Sequence, residues 1–218
     1  MSFHRLNGWI QSRLNGYQTK SGQLQSQLGR VPQWQHRYLT ESLMSEIWLT
    51  WCLFSREIIH KSIRGTKARD SIKINPRVGN NTWQTIGHQS RRAAKSENHL
   101  TATPPTFLMR QEPTWGDSSS IIKIINTLMP ANHGQLSTAY GLPLMGPRHL
   151  QLVRNCAAHK TVENLVFLRN NLSLTYSFHS KATPAEVAWS LKTGTPDLAI
   201  DLWIEDMKTI ADVATVTG

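Results

Sequence analysis

The stretch TESLMSEIWLTWCLFSREIIHKSIR, residues 40–64, decides the fold class. Met44, Ile47, Trp48, Trp51, Phe54 and Ile58 recur at three- and four-residue steps, the period that gathers apolar side chains on one face of an α-helix. A face that broad has to be buried, so the stretch predicts a long core helix. Thr40 is placed to act as its N-cap, and Glu41 sets a negative charge in the first turn, where backbone N–H groups lack partners.

Helical signals continue toward the C-terminus. Asp117 or one of the serines after it caps a segment carrying Ile121, Ile122, Ile124, Ile125 and Leu128, which Pro130 closes. Pro147 suits the first turn of a further helix with Leu150, Val153 and Ala157 on one face. Thr183-Pro-Ala-Glu186 is a capping box, and Thr195-Pro196-Asp197 repeats the cap-and-proline device before a last helix that turns Ala199, Trp203, Met207, Ile210 and Ala214 inward. The alternating residues from Leu172 to Phe178 predict one short strand. The expected class is therefore all-α.

Toward the N-terminus, residues 1–35 are rich in Gln, Gly, Ser and Arg, with scattered Leu24, Leu28 and Trp34, and read as a polar arm or short helix packed on the domain. The main helical domain is then 36–218. It is interrupted between about 65 and 117, where Lys, Arg, Asn, Ser and Thr prevail and Pro76, Pro104, Pro105 and Pro113 prevent a long helix. We read this as a long irregular basic insertion, with one short helix between Trp83 and about Leu100.

Twenty-four Lys and Arg against fourteen Asp and Glu give a net charge of +10, which favours a polyanionic partner, and nucleic acid is the commonest one. The two cysteines, Cys52 and Cys156, lie among apolar residues in helical stretches, as buried reduced thiols do, which points to the cytoplasm. No stretch approaches 18 uncharged apolar residues, so neither export nor membrane spanning is expected. No Walker-type or Rossmann-type glycine loop occurs, and the cysteines make no paired zinc set, so no cofactor or metal is expected. Glu57-Ile-Ile-His60 has di-iron spacing but lacks the second copy such a site needs.

Chemistry concentrates in Arg154-Asn-Cys-Ala-Ala-His159. Cutting RNA without a metal requires a base to take the proton of a ribose 2′-hydroxyl and a cation to hold a phosphate whose charge grows in the transition state. Imidazole titrates near neutrality, and guanidinium binds two phosphate oxygens at once. On a helix Asn155 and His159 share a face, whereas Arg154 lies about 140° from His159, so the arginine has to reach around or the helix has to be irregular. Asn155 is placed to orient the His159 ring. Two looser Arg and His pairs, Arg30 with His36 and Arg92 with His99, lack the asparagine and a core helix, and Arg169-Asn170 lacks the histidine. Glu46 and Glu57 are candidate polar supports that read first as solvated helix carboxylates, and Trp83 and Trp115 are candidate stacking surfaces for an unpaired base.

The six residues resemble the Arg-Asn-x-x-x-His signature of the HEPN superfamily of prokaryotic toxin and defence ribonucleases, as do the alanine before the histidine and the apolar approach Leu150-Gln-Leu-Val153. The resemblance implies an α-helical bundle and a homodimer that pairs two motifs in one basic cleft. It implies metal-independent RNA cleavage to a 2′,3′-cyclic phosphate, and restraint by an antitoxin or a phage-derived regulator. On that reading Arg154 holds phosphate, His159 is general acid and base, and Asn155 positions. A different class stays open: a non-catalytic helical module that uses its basic surface on nucleic acid or protein.

Overall fold

The computed structural model describes residues 2–97 and 106–217. In chain order it runs α1 (Phe3–Ser26), α2 (Gln33–Arg64), β1 (Thr66–Lys67), β2 (Lys73–Ile74), α3 (Trp83–Ala94), a 3-10 turn (Met109–Gln111), α4 (Ser118–Leu128), α5 (His133–Tyr140), α6 (Gly146–Ala158), α7 (Val162–Leu172), β3 (Tyr176–Ser177), α8 (Pro184–Ala188), β4 (Leu191–Lys192) and α9 (Ala199–Ala214). The fold is all-α: among the described residues the strands form only two antiparallel pairs of two residues each, β1 with β2 and β3 with β4. No helix there is long and apolar enough to cross a membrane.

The stripe on α2 is buried as its spacing requires, with Met44, Ile47, Trp51, Phe54 and Ile58 fully covered and Trp48 nearly so. Burying each such side chain stabilises the fold by roughly 1.5–3 kcal/mol. The helix starts earlier than its apolar pattern does. It spans 32 residues from Gln33, so Thr40 is interior, donating its hydroxyl to His36 O (2.9 Å), and Glu41 is not in the first turn. Gly65, at φ +84°, leaves the helix through the left-handed region that costs glycine least.

Residues 1–35, expected as a polar arm or short helix, contain instead the 24-residue α1, whose Phe3, Leu6, Ile10 and Leu14 are fully buried at helical spacing. Leu28 and Trp34, expected to pack, are about two-thirds exposed. The strand expected over 172–178 shrinks to β3, because α7 continues to Leu172. Thr195 does not cap α9. Its hydroxyl accepts from Asp197 N (3.3 Å) in a turn that ends two residues before the helix begins. The other caps stand where expected: Asp117 accepts from Ser119 N and Ser120 N, and Thr183 and Glu186 form the reciprocal box.

The chain divides into two compact units, one of residues 1–11, 51–143 and 209–218, the other of residues 12–50 and 144–208. In the first, the stretch expected as an irregular insertion is anchored. Its α3 runs from the Thr82 cap to Ala94 and packs on α4 and the 3-10 turn, and α4 packs on α5. Arg56 of α2 makes a bidentate pair with Glu112 (2.7 and 2.9 Å), adds Glu57 (3.1 Å), and Glu112 accepts a third bond from Trp115 Nε1 (2.8 Å). Trp115 is thereby a buried structural residue, edge-on to His60, and not an open stacking surface. Pro104 and Pro105 lie outside the described residues.

Candidate active site

In the second unit, α6 carries the motif and packs on α7 and α8. Pro147 sits in its first turn, where a missing N–H costs nothing, and Asp206 of α9 accepts the Gly146 N–H (2.7 Å). Gly146 has to be glycine, because a Cβ there would lie 2.7 Å from Trp203 Cα and 2.8 Å from Trp203 O. The α6 N-terminus thus lies directly on α9.

One turn along, three aromatic groups hold the helix. Trp203 Nε1 donates to the Tyr176 hydroxyl (2.8 Å), and that hydroxyl shares a second hydrogen bond with His149 Nδ1 (2.9 Å). Burial pushes the His149 imidazole down to about 4 and the Tyr176 phenol up to about 12, so the chain of bonds is neutral. Leu150, Val153 and Cys156 complete the buried side of α6, while Ala157 is half-buried.

The opposite side carries the motif. Arg154 is half-buried, and its Nη1 donates to Asn155 Oδ1 (3.1 Å). Its Nε is buried with no hydrogen-bond partner, and no carboxylate pairs with it among the described residues. An arginine held this way offers unfilled donors to an incoming oxyanion. Asn155 and His159 are exposed. His159 is the C-cap of α6, with φ −123° and ψ 74°, so it leaves the helical path and the 140° separation from Arg154 on an ideal wheel does not apply.

Asn155 bonds Arg154 and not the His159 ring, which differs from the expected orienting role. What Asn155 supplies to His159 is a backbone bond, its O accepting from His159 N (2.9 Å). The His159 backbone is further tied by Thr161 N and Asn164 Nδ2, which donate to its carbonyl at 2.7 and 2.8 Å. Thr161 in turn caps α7 by accepting from Asn164 N. The corner between α6 and α7 therefore fixes the backbone of His159, while no hydrogen bond holds its ring among the described residues.

Two residues near this corner, Glu41 and Asn164, were given no part in the site by the sequence reading. Glu41, 19% exposed, pairs with Lys160 (3.0 Å) next to His159, and its second oxygen is buried without a partner. Their separation of 119 residues hides the pair from any local pattern. Asn164 was legible in principle as the residue three beyond the Thr161 cap. Glu46 pairs at the surface with Lys20, both about half exposed, and Glu57 pairs with Arg56 and Lys61, so each has a local partner.

The rival pairs behave differently. His36 lies inside α2, 6% exposed, with Nε2 against Leu24 O (3.1 Å) and its ring 5.6 Å from that of Trp189, as a packed structural histidine. Arg92 pairs with Glu97 (3.2 Å), and His99 lies outside the described residues. Arg169 donates twice to Ala182 O (3.1 and 3.0 Å), stapling α7 to the chain before α8. Glu57 and His60 share no metal arrangement, and no group of three His, Cys, Asp or Glu side chains among the described residues is placed to hold a metal ion. No disulfide joins Cys52 and Cys156. The chain matches no model of a known protein family, no curated protein and no solved structure.

Proposed function

We propose that the chain is a metal-independent endoribonuclease of the HEPN type, acting in toxin–antitoxin or anti-phage defence, with Arg154, Asn155 and His159 as its catalytic set. The observation that carries this reading is the state of Arg154. Among the described residues its buried Nε has no partner and its one side-chain bond goes to a neutral amide, and the exposed His159 ring stands at the end of the same helix. A buried arginine N–H without an acceptor costs stability, so the Arg154 Nε supports a ligand that fills it.

In the reaction, imidazole takes the proton from the ribose 2′-hydroxyl, the 2′-oxygen attacks phosphorus, and the 5′-oxygen leaves with a proton from a second acid. A 2′,3′-cyclic phosphate and a 5′-hydroxyl result. Arg154 holds the phosphate oxygens as charge builds on them. One motif supplies one imidazole, so a second copy of the chain completes the acid and base pair. Support for a homodimer comes from α7, where Val162, Val166 and Phe167, 48–73% exposed, follow directly on the motif. A free ribonuclease of this kind has to be restrained in its host, which calls for an antitoxin or an infection-derived regulator.

The second reading is a non-catalytic helical module that binds nucleic acid or protein. It is favoured by the His159 ring, which no side chain among the described residues orients. Incubating the pure chain with RNA in EDTA, beside His159→Ala, separates the two. The nuclease reading expects cyclic phosphate ends from the parent and none from the variant. Intact RNA throughout supports the binding module, and equal cutting by both overturns the nuclease reading of His159.

A further inference from the structure

A second cationic feature lies in the other unit. A cleft of about 500 Å³ opens between the end of α3, the 3-10 turn and the start of α4, and Arg91, Lys95 and Arg110 line it. Among the described residues none of these three side chains has an acidic partner, whereas the neighbouring Arg92 is paired with Glu97. The carboxylates nearby are already engaged. Glu112, also in the lining, is held by Arg56 and Trp115, and Asp117 accepts from the first amides of α4. The cleft therefore keeps an uncompensated positive charge. Thr114 and Ser120 add hydroxyl donors to its wall.

We propose that this cleft binds the phosphodiester backbone of single-stranded nucleic acid. Arg91 and Lys95 are four residues apart at the end of α3, and Arg110 stands on the facing 3-10 turn, so cations border the opening on two sides, as successive phosphates of a strand require. Leu108 and Met109, 47% and 58% exposed, precede Arg110 in the chain outside the cleft lining and offer apolar surface to a base that extends beyond it. A base is free to use it only when it is unpaired, which selects a single strand over a duplex, and neither free phosphate nor an acidic peptide would make use of it. The site is separate from the motif, and binding there holds whether or not the motif cuts. If it does, the cleft captures its substrate.

The test uses the full chain carrying His159→Ala, so that on the nuclease reading the RNA stays whole, and follows a fluorescein-labelled oligouridylate by polarisation. Adding Arg91→Gln, Lys95→Gln and Arg110→Gln together is expected to weaken binding at least tenfold and to reduce the slope of log K against log salt by about 2, since each phosphate contact on a single strand contributes about 0.7. Arg110→Gln alone, on an exposed turn, should retain about a third of the slope change and guards against a misfolded triple variant. Unchanged affinity and slope would overturn the proposal. So would displacement of the RNA by inorganic phosphate or by polyglutamate as readily as by unlabelled RNA, the first marking a small-phosphate site and the second a protein-docking face. Cleavage is not read, so failure here leaves the nuclease reading to its own assay.

Discussion

Arg56 and Arg154 are both helical arginines of limited exposure, and they are held in opposite ways. Arg56 spends its guanidinium on carboxylates, two bonds to Glu112 and one to Glu57, and Glu112 raises its pKa above the ordinary arginine value. Among the described residues Arg154 has one side-chain bond, to the neutral Asn155, and a buried Nε with none. The contrast extends to their surroundings. The Arg56 pair fastens a stretch whose composition looks irregular, while the Arg154 motif sits on a helix that three separate contacts position and then ends in an exposed histidine. A paired arginine builds structure, whereas an unpaired one on a rigid support is available to a ligand.

Breaking each region should therefore give different readouts. Glu112→Ala leaves Arg56 buried beside Glu57 alone and is expected to lower stability by about 3 kcal/mol, whereas Arg154→Ala should change it by less than about 0.5 kcal/mol, both read by urea unfolding. Equal losses would mean that Arg154 is structural too. Next in size, Gly146→Ala drives a methyl into the backbone of Trp203 and should cost about 2 kcal/mol, with α6 displaced at the end where Asp206 and His149 hold it. A neutral outcome would show that the motif helix is not pinned there.

A pH-dependent effect of comparable size follows from two buried histidines, one in each region. Burial lowers His60 to about 3 and His149 to about 4. Unfolded imidazoles protonate near 6.5, so between 6.5 and about 4 the unfolded chain binds more protons than the folded one, and stability falls as pH falls through that window. The slope should be on the order of 1 kcal/mol per pH unit for each histidine, levelling off above 6.5. Stability measured at pH 5 that equals or exceeds that at pH 7.5 would contradict the neutral, buried assignment. Smallest of all, Glu41→Gln breaks a half-open pair with Lys160 and should shift stability by less than about 1 kcal/mol. Any large drop in RNA cleavage from that variant would give Glu41 a role at the motif that its surface pairing does not show.

The helix faces were legible because burial imposes a period. Every residue of the α2 stripe that the spacing marked is covered, as are Trp203, Met207 and Ile210 on α9. Helix ends were less so. Thr40 looks like a cap, yet Gln33 to Leu39 continue the helix behind it, a start that Pro32 signals better than any apolar residue does. In α1 the stripe from Phe3 to Leu14 was present but diluted by Gly8, Gly16 and polar neighbours, so overall composition masked periodicity. The anchoring of residues 65–117 was hidden for a different reason. It depends on Arg56 meeting Glu112 across 56 positions, and no window of sequence contains both halves of such a pair. At the motif, the trio was visible as residue types at a spacing, whereas the turn of His159 out of the helix and the bond of Asn155 to Arg154 are properties of a helix end that the spacing does not encode.

The central claim is that Arg154 is unpaired because a phosphate completes it. The most direct measurement is the rate of RNA cleavage by the purified chain in EDTA, set beside Arg154→Ala at a temperature where both remain folded. The account predicts cyclic phosphate products from the parent and a rate at least 100-fold lower in the variant, with the unfolding midpoint unchanged. A variant that cuts at the parental rate, or a parent that leaves RNA whole, would contradict it.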